Sequence, residues 1–434
     1  MKSAVFVAIA LALGGVAASP AVAQIASETT QAAEPTALEA RAAQVVALLN
    51  SEVTPAEIFT PAFRAAIADA QIRELSANLT GQFGRALAVR LLLPREGTRA
   101  AFEIQLERGV AKGAFALDPA DNNRINELRF TSVDSVAVAG DTPEQIAADL
   151  AALPGSVNAW FGPLGGTPVI SRNADQPLAL GSAAKLYVLA ALAEDVKAGK
   201  RKWNDVVPLT ERSYPSGQLQ DWPKGAPMTL HTLASLMISI SDNTATDQLI
   251  KVLGRARILR LMKDSGHTDP AANDPFLTTR ELFVLKTWGR EALDQWRAGP
   301  SAENVPLVAL LGSANPTLDE VNAAFAHGPK ALDIEWFAAP ADLARLFAHM
   351  RKTAAPEAFR IMAINPSATD AILANWRYIG YKGGSEPGVL NLTWLLTDKQ
   401  GRDWVLTLGW NNPAAVLDEG KLEAIAQRIL LLPR

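Results

Sequence analysis

Hydrophobic residues recur at helical spacing at the start of the folded chain and at strand spacing after it. Leu38, Ala42 and Val45 fall on one face of a helix, and a second helical pattern runs from Pro61 to about Leu79. Four strand-like segments bounded by turn residues follow: Ala86–Leu93, Ala100–Arg108, Val110–Leu117 and Arg124–Ser132. Helices followed by an antiparallel sheet predict a small α+β domain over residues 37–133, without an evident catalytic cluster.

The rest of the chain has strands at both ends and helices between them. A helix is predicted over Pro143–Leu153, two short strands follow near residues 159–161 and 167–170, and an amphipathic helix covers Leu417–Leu431. A hairpin is predicted from Val389–Thr397 and Trp404–Trp410. This order indicates one antiparallel sheet assembled from distant parts of the chain and flanked by helices. Residues 143–434 form the second predicted domain, and residues 134–142 the linker.

The N-terminus has the pattern of a signal peptide. Lys2 precedes an apolar stretch, and Ala21-Val22-Ala23 supplies the small residues that a signal peptidase reads. The apolar stretch falls short of the roughly 20 residues that a bilayer requires. We therefore expect cleavage after residue 23, a flexible lead-in over residues 24–36, an exported, periplasmic protein, and no stable membrane insertion.

Composition narrows the chemistry. The 434 residues are 49% hydrophobic and 20% charged, with a net charge of -4, which is typical of a globular protein and gives no reason to expect a nucleic-acid partner. The chain has no cysteine and 4 histidines, none of them paired at metal-binding spacing. We expect no metal and no cofactor, and a nucleophile that is Ser, Thr or a carboxylate.

Three short polar motifs interrupt the apolar patterns of the second domain. Ser182 and Lys185 stand three residues apart at the start of an apolar run, so the amine and the hydroxyl share a helix face and come within hydrogen-bonding reach. A desolvated lysine loses proton affinity and can serve as a base toward serine. The same spacing also arises by chance, as a serine at a helix start followed by a solvated lysine.

The other two motifs lie farther along the chain. Ser241-Asp242-Asn243 connects two apolar helical patterns, and it is either a capped connection or the source of a proton-relaying hydroxyl and a substrate-binding amide. Lys382-Gly383-Gly384-Ser385 follows a strand-like segment. It is either an ordinary turn or a strand edge whose backbone N–H joins that of Ser182 in an oxyanion hole.

The order Ser-x-x-Lys, Ser-Asp-Asn and Lys-x-Gly resembles class A β-lactamases and related penicillin-recognising serine hydrolases. The resemblance covers about residue 143 to the C-terminus and implies a β-lactamase/transpeptidase-like fold. It implies that Ser182 is the acylated nucleophile, Lys185 its base or proton relay, and Ser241 the proton shuttle to the leaving nitrogen. Asn243 would contact a substrate amide, and Lys382 would anchor a substrate carboxylate, with Gly383, Gly384 and Ser385 completing the binding strand.

The chain departs from the family pattern at two places. Gly383 stands where the family has a hydroxyl, for which Ser385, on the same strand face, is the substitute. No Glu-Pro-x-Leu-Asn is present, and the nearest counterpart of its deacylating glutamate is Asp269, which is more simply interpreted as a turn residue. The segment Thr287–Lys330 is interpreted as an insertion that helps to shape the cleft entrance.

The two-domain layout also resembles exported or antibiotic-cluster proteins that carry a small cone-like domain of the isomerase or cyclase type before a class A-like domain. One such relative lies in clavulanic acid biosynthesis and is associated with esterase chemistry. The leading hypothesis is therefore an exported serine hydrolase that opens a β-lactam through an acyl-enzyme on Ser182. An esterase or peptidoglycan-peptide hydrolase with the same nucleophile, and a non-catalytic envelope binding protein, are the alternatives. The expected partner is a small-molecule substrate, and the oligomeric state is left open.

Overall fold

A computed structural model describes residues 35–135, 141–299, 301–314 and 316–434. The predicted signal peptide and nearly all of the predicted flexible lead-in lie outside the described residues. The chain divides into two compact units, one on either side of residues 136–140. Among the described residues, no helix is both long enough and apolar enough to cross a membrane.

The N-terminal unit places helices before a four-stranded antiparallel sheet of order β1-β2-β3-β4. Its core includes Ile58, Phe59 and Phe102. Its elements are α1 Ala37–Leu49, α2 Pro55–Ile58, α3 Pro61–Ala66, α4 Asp69–Phe83, β1 Ala86–Arg95, β2 Arg99–Leu106, β3 Gly109–Asp118 and β4 Arg124–Ser135.

The second helix predicted in this unit is divided into α3 and α4. Ile67, at the break, has φ -130° and ψ 111°, which is extended backbone. Arg64 and Asp69 form an ion pair of 2.7 Å across the break. The prediction of one continuous helix was wrong here, because apolar spacing continues across a short extended linker without revealing it.

The C-terminal unit contains a larger set of helices around a second sheet. Its helices are α5 Pro143–Ala152, α6 Lys185–Lys197, α7 Leu230–Ser239, α8 Asn243–Leu253, α9 Arg255–Asp264, α10 Thr279–Thr287, α11 Arg290–Ala298, α12 Ser301–Ser313, α13 Leu318–Ala324, α14 Pro340–Thr353, α15 Glu357–Met362, α16 Asp370–Asn375 and α17 Glu419–Leu431. Its strands are β5 Ser156–Pro163, β6 Ile170–Arg172, β7 Leu178–Ala179, β8 Val206–Pro208, β9 Pro227–Thr229, β10 Phe337–Ala338, β11 Tyr378–Glu386, β12 Val389–Thr397 and β13 Asp403–Asn411.

The second sheet is antiparallel and five-stranded, in the order β11-β12-β13-β5-β6. One face packs against α5 and α17, in a core that includes Ile146, Leu150 and Ile425. The opposite face contributes Leu395 and Val405 to the core of the helical part. Strands from both ends of the unit therefore form one sheet, as the sequence predicted, and β11 lies at its edge.

Helix α6 runs through the centre of the helical core. Residues 185–193 of this helix are all buried. A helix that is apolar on every side must be enclosed by other elements, so its position is fixed by packing around its whole circumference. Because Ser182 lies in the 3-10 turn Gly181–Ala184 that leads into α6, the same packing fixes the position of Ser182.

Candidate active site

Ser182 lies on a tight turn at the start of the buried helix. Gly181 has φ 51°, a conformation that glycine adopts without steric cost, and it directs the chain into the turn. Ser182 is half-buried, and its hydroxyl makes no hydrogen bond with the described part of the chain. The hydroxyl is therefore held in place by the turn and is available to a substrate.

The amine of Lys185 is enclosed by oxygen atoms. Lys185 is 2% exposed. Its Nζ lies 2.7 Å from the carbonyl oxygen of Ser241, 3.1 Å from Ser241 Oγ and 2.7 Å from Asn243 Oδ1. The structure thus brings Lys185, Ser241 and Asn243 together. The hydrogen bond expected between Lys185 and the Ser182 hydroxyl is not formed, because these three oxygens occupy the amine.

Burial lowers the pKa of Lys185 to about 7, although the negative charges of Asp247 and Asp242 oppose the shift. A neutral amine has two N–H groups and one lone pair. The two 2.7 Å contacts take the two N–H groups, and the Ser241 hydroxyl can then donate to the lone pair. The same geometry therefore serves the ammonium and the amine, as a proton-transferring group requires.

The connection between α7 and α8 is strained at Ser241 and braced by Asp242. Ser241 has φ 60° and is 1% exposed. This left-handed conformation, uncommon outside glycine, turns both the carbonyl and the hydroxyl of Ser241 toward Lys185. Asp242 caps α8 by accepting from the backbone N–H of Ala245 at 2.8 Å, and it also accepts from the N–H groups of Gln218 and Leu219.

Asn243 joins the lysine to a neighbouring loop. Its Oδ1 accepts from Lys185, and its Nδ2 donates to the carbonyl of Tyr214 at 3.0 Å. Tyr214 in turn lines a pocket of about 160 Å³ beside the site. Part of the pocket wall comes from Leu318 and Val321 of α13, which belong to the predicted insertion Thr287–Lys330.

Asp247, one helical turn after Asn243, is a buried carboxylate that the sequence analysis did not single out. It is 1% exposed and accepts from both the backbone N–H and the hydroxyl of Thr279, from the N–H of Arg280 and from the hydroxyl of Ser213. Burial raises the pKa of Asp247, and these hydrogen bonds oppose the shift. In the sequence, Asp247 could have been recognised as an acidic residue on the apolar face of the helix predicted at α8.

The edge strand β11 approaches Ser182 through its backbone. A Cβ added to Gly384 would lie 2.2 Å from the carbonyl oxygen of Leu180 and 2.3 Å from the Ser182 nitrogen. A Cβ added to Gly181 would lie 3.1 Å from the Ser385 nitrogen. The N–H groups of Ser182 and Ser385 therefore lie close together, an arrangement suited to an oxyanion hole.

Lys382 is a buried lysine on β11 that is affected by the charge of Lys185. It is 2% exposed, and its amine donates to the carbonyl of Gly383. Burial lowers the pKa of Lys382 well below its usual value, and the charge of Lys185 lowers it further. The charge of Lys185 therefore disfavours the charged form of Lys382.

Gly383 lacks the hydroxyl that the family has at this position, and the hydroxyl of Tyr381 lies close by. A Cβ at this position would lie 2.1 Å from the hydroxyl oxygen of Tyr381, whose ring packs on Trp394 with centroids 4.6 Å apart. The side chain of Ser385, expected to be the substitute, interacts with the carboxylate of Glu419 and lowers its pKa, although burial raises that pKa. Sequence reasoning missed this contact of Tyr381, since its hydroxyl reaches Gly383 only along the strand face.

The structure places Asp269 away from the lysine cluster. Asp269 is exposed and caps the 3-10 turn Pro270–Asn273 through a hydrogen bond from Ala272 N. This position is that of a turn residue, which was the simpler interpretation of Asp269 in the sequence. Among the described residues, no Asp or Glu side chain is hydrogen-bonded to Ser182, Lys185 or Ser241, and none of the His, Asp and Glu side chains there are grouped to hold a metal ion.

Comparison with known proteins identifies the family. Residues 142–429 match the model of the β-lactamase enzyme family (Beta-lactamase2). The chain belongs to this family and is a β-lactamase-like serine hydrolase. This confirms the predicted mixed fold, with a β-lactamase/transpeptidase-like unit preceded by a separate sheet domain. A comparison with curated proteins gives no match.

Solved structures also resemble about two thirds of the chain. PBP-A is 18% identical, with a TM-score of 0.47, over 67% of this chain and 94% of its own. A β-lactamase from Sphaerobacter thermophilus DSM 20745 is 21% identical, with a TM-score of 0.44, over 66% of this chain and 94% of its own.

Proposed function

We propose that the protein is an exported hydrolase of the class A type that opens β-lactams through an acyl-enzyme on Ser182. The observation that carries the proposal is the buried Lys185 amine, bonded to Ser241 and Asn243 beside a nucleophile whose hydroxyl is unengaged. Small-molecule β-lactams are the substrates of the family to which the chain belongs.

The proposed reaction begins when Ser182 Oγ attacks the β-lactam carbonyl. Lys185 takes the hydroxyl proton, and the N–H groups of Ser182 and Ser385 stabilise the negative charge on the carbonyl oxygen. The carbon–nitrogen bond then breaks. Ser241 passes its proton to the leaving nitrogen and takes the proton that Lys185 holds, while Asn243 and Lys382 hold the substrate. Water hydrolyses the ester, which releases the acid and restores the Ser182 hydroxyl.

Intact-mass measurement after incubation with a penicillin tests the nucleophile. We expect an adduct of one penicillin mass on the full chain, no adduct on Ser182→Ala, and a normal adduct on Ser235→Ala, a serine on α7 whose hydroxyl contacts His231 instead. An adduct retained by Ser182→Ala would contradict the proposal. Since no Asp or Glu side chain in the described ranges is hydrogen-bonded to Ser182, Lys185 or Ser241, we also expect the adduct to be long-lived.

The geometry of β11 favours a second candidate, an esterase or peptidoglycan-peptide hydrolase with the same nucleophile. Gly383 supplies no hydroxyl, and the side chain of Ser385 interacts with the carboxylate of Glu419, whose pKa it lowers. Turnover of a chromogenic cephalosporin compared with that of short acyl esters separates the two candidates. Fast cephalosporin turnover without esterase activity would eliminate the second.

A further inference from the structure

Lys286 is a fully buried cation that lies between two buried glutamates. Its Nζ is 3.1 Å from Glu335 Oε1 and 2.5 Å from Glu386 Oε1. The side chains of Lys286, Glu335 and Glu386 are 0%, 1% and 4% exposed. None of the three contacts Ser182, Lys185 or Ser241, so the proposed reaction does not use them directly.

We do not expect this ion triad to stabilise the fold more than apolar side chains would. Two carboxylates face one ammonium, and Glu386 Oε2 is buried with no hydrogen-bond partner in the described part of the chain. Burial raises the pKa of Glu386, whereas the two carboxylates raise the pKa of Lys286 even though burial lowers it. Apolar side chains of similar volume often serve stability as well as a buried ion triad does, so its presence suggests a geometric role.

The triad joins three elements, two of which approach Ser182. Glu386 ends β11 and directly follows Ser385. Glu335 precedes Trp336, whose carbonyl accepts from the N–H of Leu180 at 2.9 Å, two residues before Ser182. Lys286 lies near the end of α10, whose first residue is bonded to Asp247. One ammonium therefore links the end of β11, the segment at Trp336 that is bonded to Leu180, and helix α10.

The position of the end of β11 matters for the proposed oxyanion hole. β11 is the edge strand of its sheet, so it is hydrogen-bonded to a neighbouring strand on the β12 side only. Its last residues, Ser385 and Glu386, lie next to the hairpin that leads into β12. An oxyanion hole needs its donors within hydrogen-bonding distance of the reacting oxygen, and a displacement of about 1 Å can cost 10²-fold in rate.

We propose that Lys286, held between Glu335 and Glu386, is a positioning residue that keeps the Gly384–Ser385 backbone against Ser182 and so sets the geometry of the oxyanion hole. The inference rests on the proposed acyl-enzyme at Ser182. Beyond a role in folding, it assigns the triad a role in the rate of acylation. It also assigns the triad a role in the preference for a carbonyl oxygen over a sulfur in the substrate.

The test compares acylation by an activated ester and by its thiono analogue, in which sulfur replaces the carbonyl oxygen. Sulfur is the weaker hydrogen-bond acceptor, so intact oxyanion donors favour the oxygen ester, and displaced donors reduce that preference. The ratio of the two acylation rates therefore reports the position of the donors. A loss of folded protein lowers both rates together and leaves the ratio unchanged.

Glu386→Ala is the first variant, because it detaches the strand while leaving Lys286 paired with Glu335, with no orphaned cation. We expect its oxygen-ester rate to fall about 10²-fold and its rate ratio to fall about tenfold. Glu386→Gln retains an oxygen that accepts from Lys286, and we expect its ratio to stay near that of the wild type. Lys286→Met should lower the ratio at least as far as Glu386→Ala.

Arg257→Met is the matched control. Arg257 is a half-buried cation that also bridges two acids, Glu194 and Asp195, at the far end of α6. Its removal should lower the melting temperature and leave the ratio unchanged. A wild-type ratio in folded Glu386→Ala, or an equal fall in Arg257→Met, would overturn the positioning role alone. A wild-type protein that is not acylated at Ser182 would overturn the proposed function and this inference together.

Discussion

The amine of Lys185 contacts both the carbonyl oxygen and the hydroxyl of Ser241, at 2.7 and 3.1 Å. Both contacts depend on the left-handed backbone of Ser241, whose φ is 60°. The left-handed conformation of Ser241 therefore strains the backbone locally and also determines the environment of the Lys185 amine. Strain of this kind persists where the surrounding structure imposes it, as the buried start of α8 does here.

Substitutions of Ser241 should distinguish the effect of its backbone conformation on stability from the effect of its hydroxyl on acylation. Ser241→Gly and Ser241→Ala both remove the hydroxyl, and we expect acylation to fall about 10²-fold in each. Glycine adopts φ 60° without steric cost, so Ser241→Gly should be more stable than Ser241→Ala by about 1 kcal/mol. Chemical denaturation measures this difference. Equal stability of the two variants would show that the backbone does not remain left-handed.

The rate of acylation should follow the titration of Lys185. Its pKa is lowered to about 7 by burial, and an amine acts as a base only when neutral. We therefore expect the rate to be low below pH 7, to rise through pH 7 and to reach a plateau above it. Adduct formation followed by mass across a pH series measures the midpoint.

Asp247→Asn should move that midpoint to lower pH. The charge of Asp247 favours the ammonium form of Lys185, and its loss leaves burial less opposed. Asp205→Asn is the control, because Asp205 caps a turn at Lys202 and is not among the charges that act on Lys185. A midpoint of Asp247→Asn at or above that of the wild type would contradict the assignment of Lys185 as the titrating group.

Alanine substitutions at the two adjacent glycines of β11 should differ in effect. The Cβ of Gly384→Ala would lie 2.3 Å from the backbone nitrogen of Ser182, so we expect acylation to fall about 10²–10³-fold. The Cβ of Gly383→Ala would meet the end of a side chain, Tyr381, and Tyr381→Phe should partly restore its activity. Wild-type acylation by Gly384→Ala would contradict the close approach of the strand to Ser182.

Gly217 should tolerate a side chain less well than Gly225. Both have positive φ, 112° and 86°. A Cβ at Gly217 would lie 2.4 Å from the carboxylate of Asp242, whereas a Cβ at Gly225 would have no atom within 4 Å. We expect Gly225→Ala to lose about 1 kcal/mol of stability and Gly217→Ala about 2 kcal/mol more, as measured by denaturation. Similar losses would show that Asp242 gives way.

Apart from the helix divided into α3 and α4, the helices and strands predicted from apolar periodicity lie within a few residues of observed ones. The predicted hairpin over Val389–Thr397 and Trp404–Trp410 corresponds to β12 and β13, and the predicted helix Leu417–Leu431 to α17. Periodicity works there because a residue's spacing from its chain neighbours decides which face it presents to the core. It did not reveal the break between α3 and α4, where the extended residue Ile67 leaves the apolar spacing undisturbed.

The sequence by itself determined the alternation of elements, the fully apolar helix that carries Lys185, and the order of the three motifs that indicated the family. Only the tertiary structure decided what the charged groups contact. It gave the Lys185 amine to Ser241 and Asn243, placed the Tyr381 hydroxyl beside Gly383, and enclosed Lys286 between Glu335 and Glu386. The reason is physical: periodicity records the burial of faces, whereas a hydrogen bond between residues far apart in the chain exists only once packing has fixed both partners.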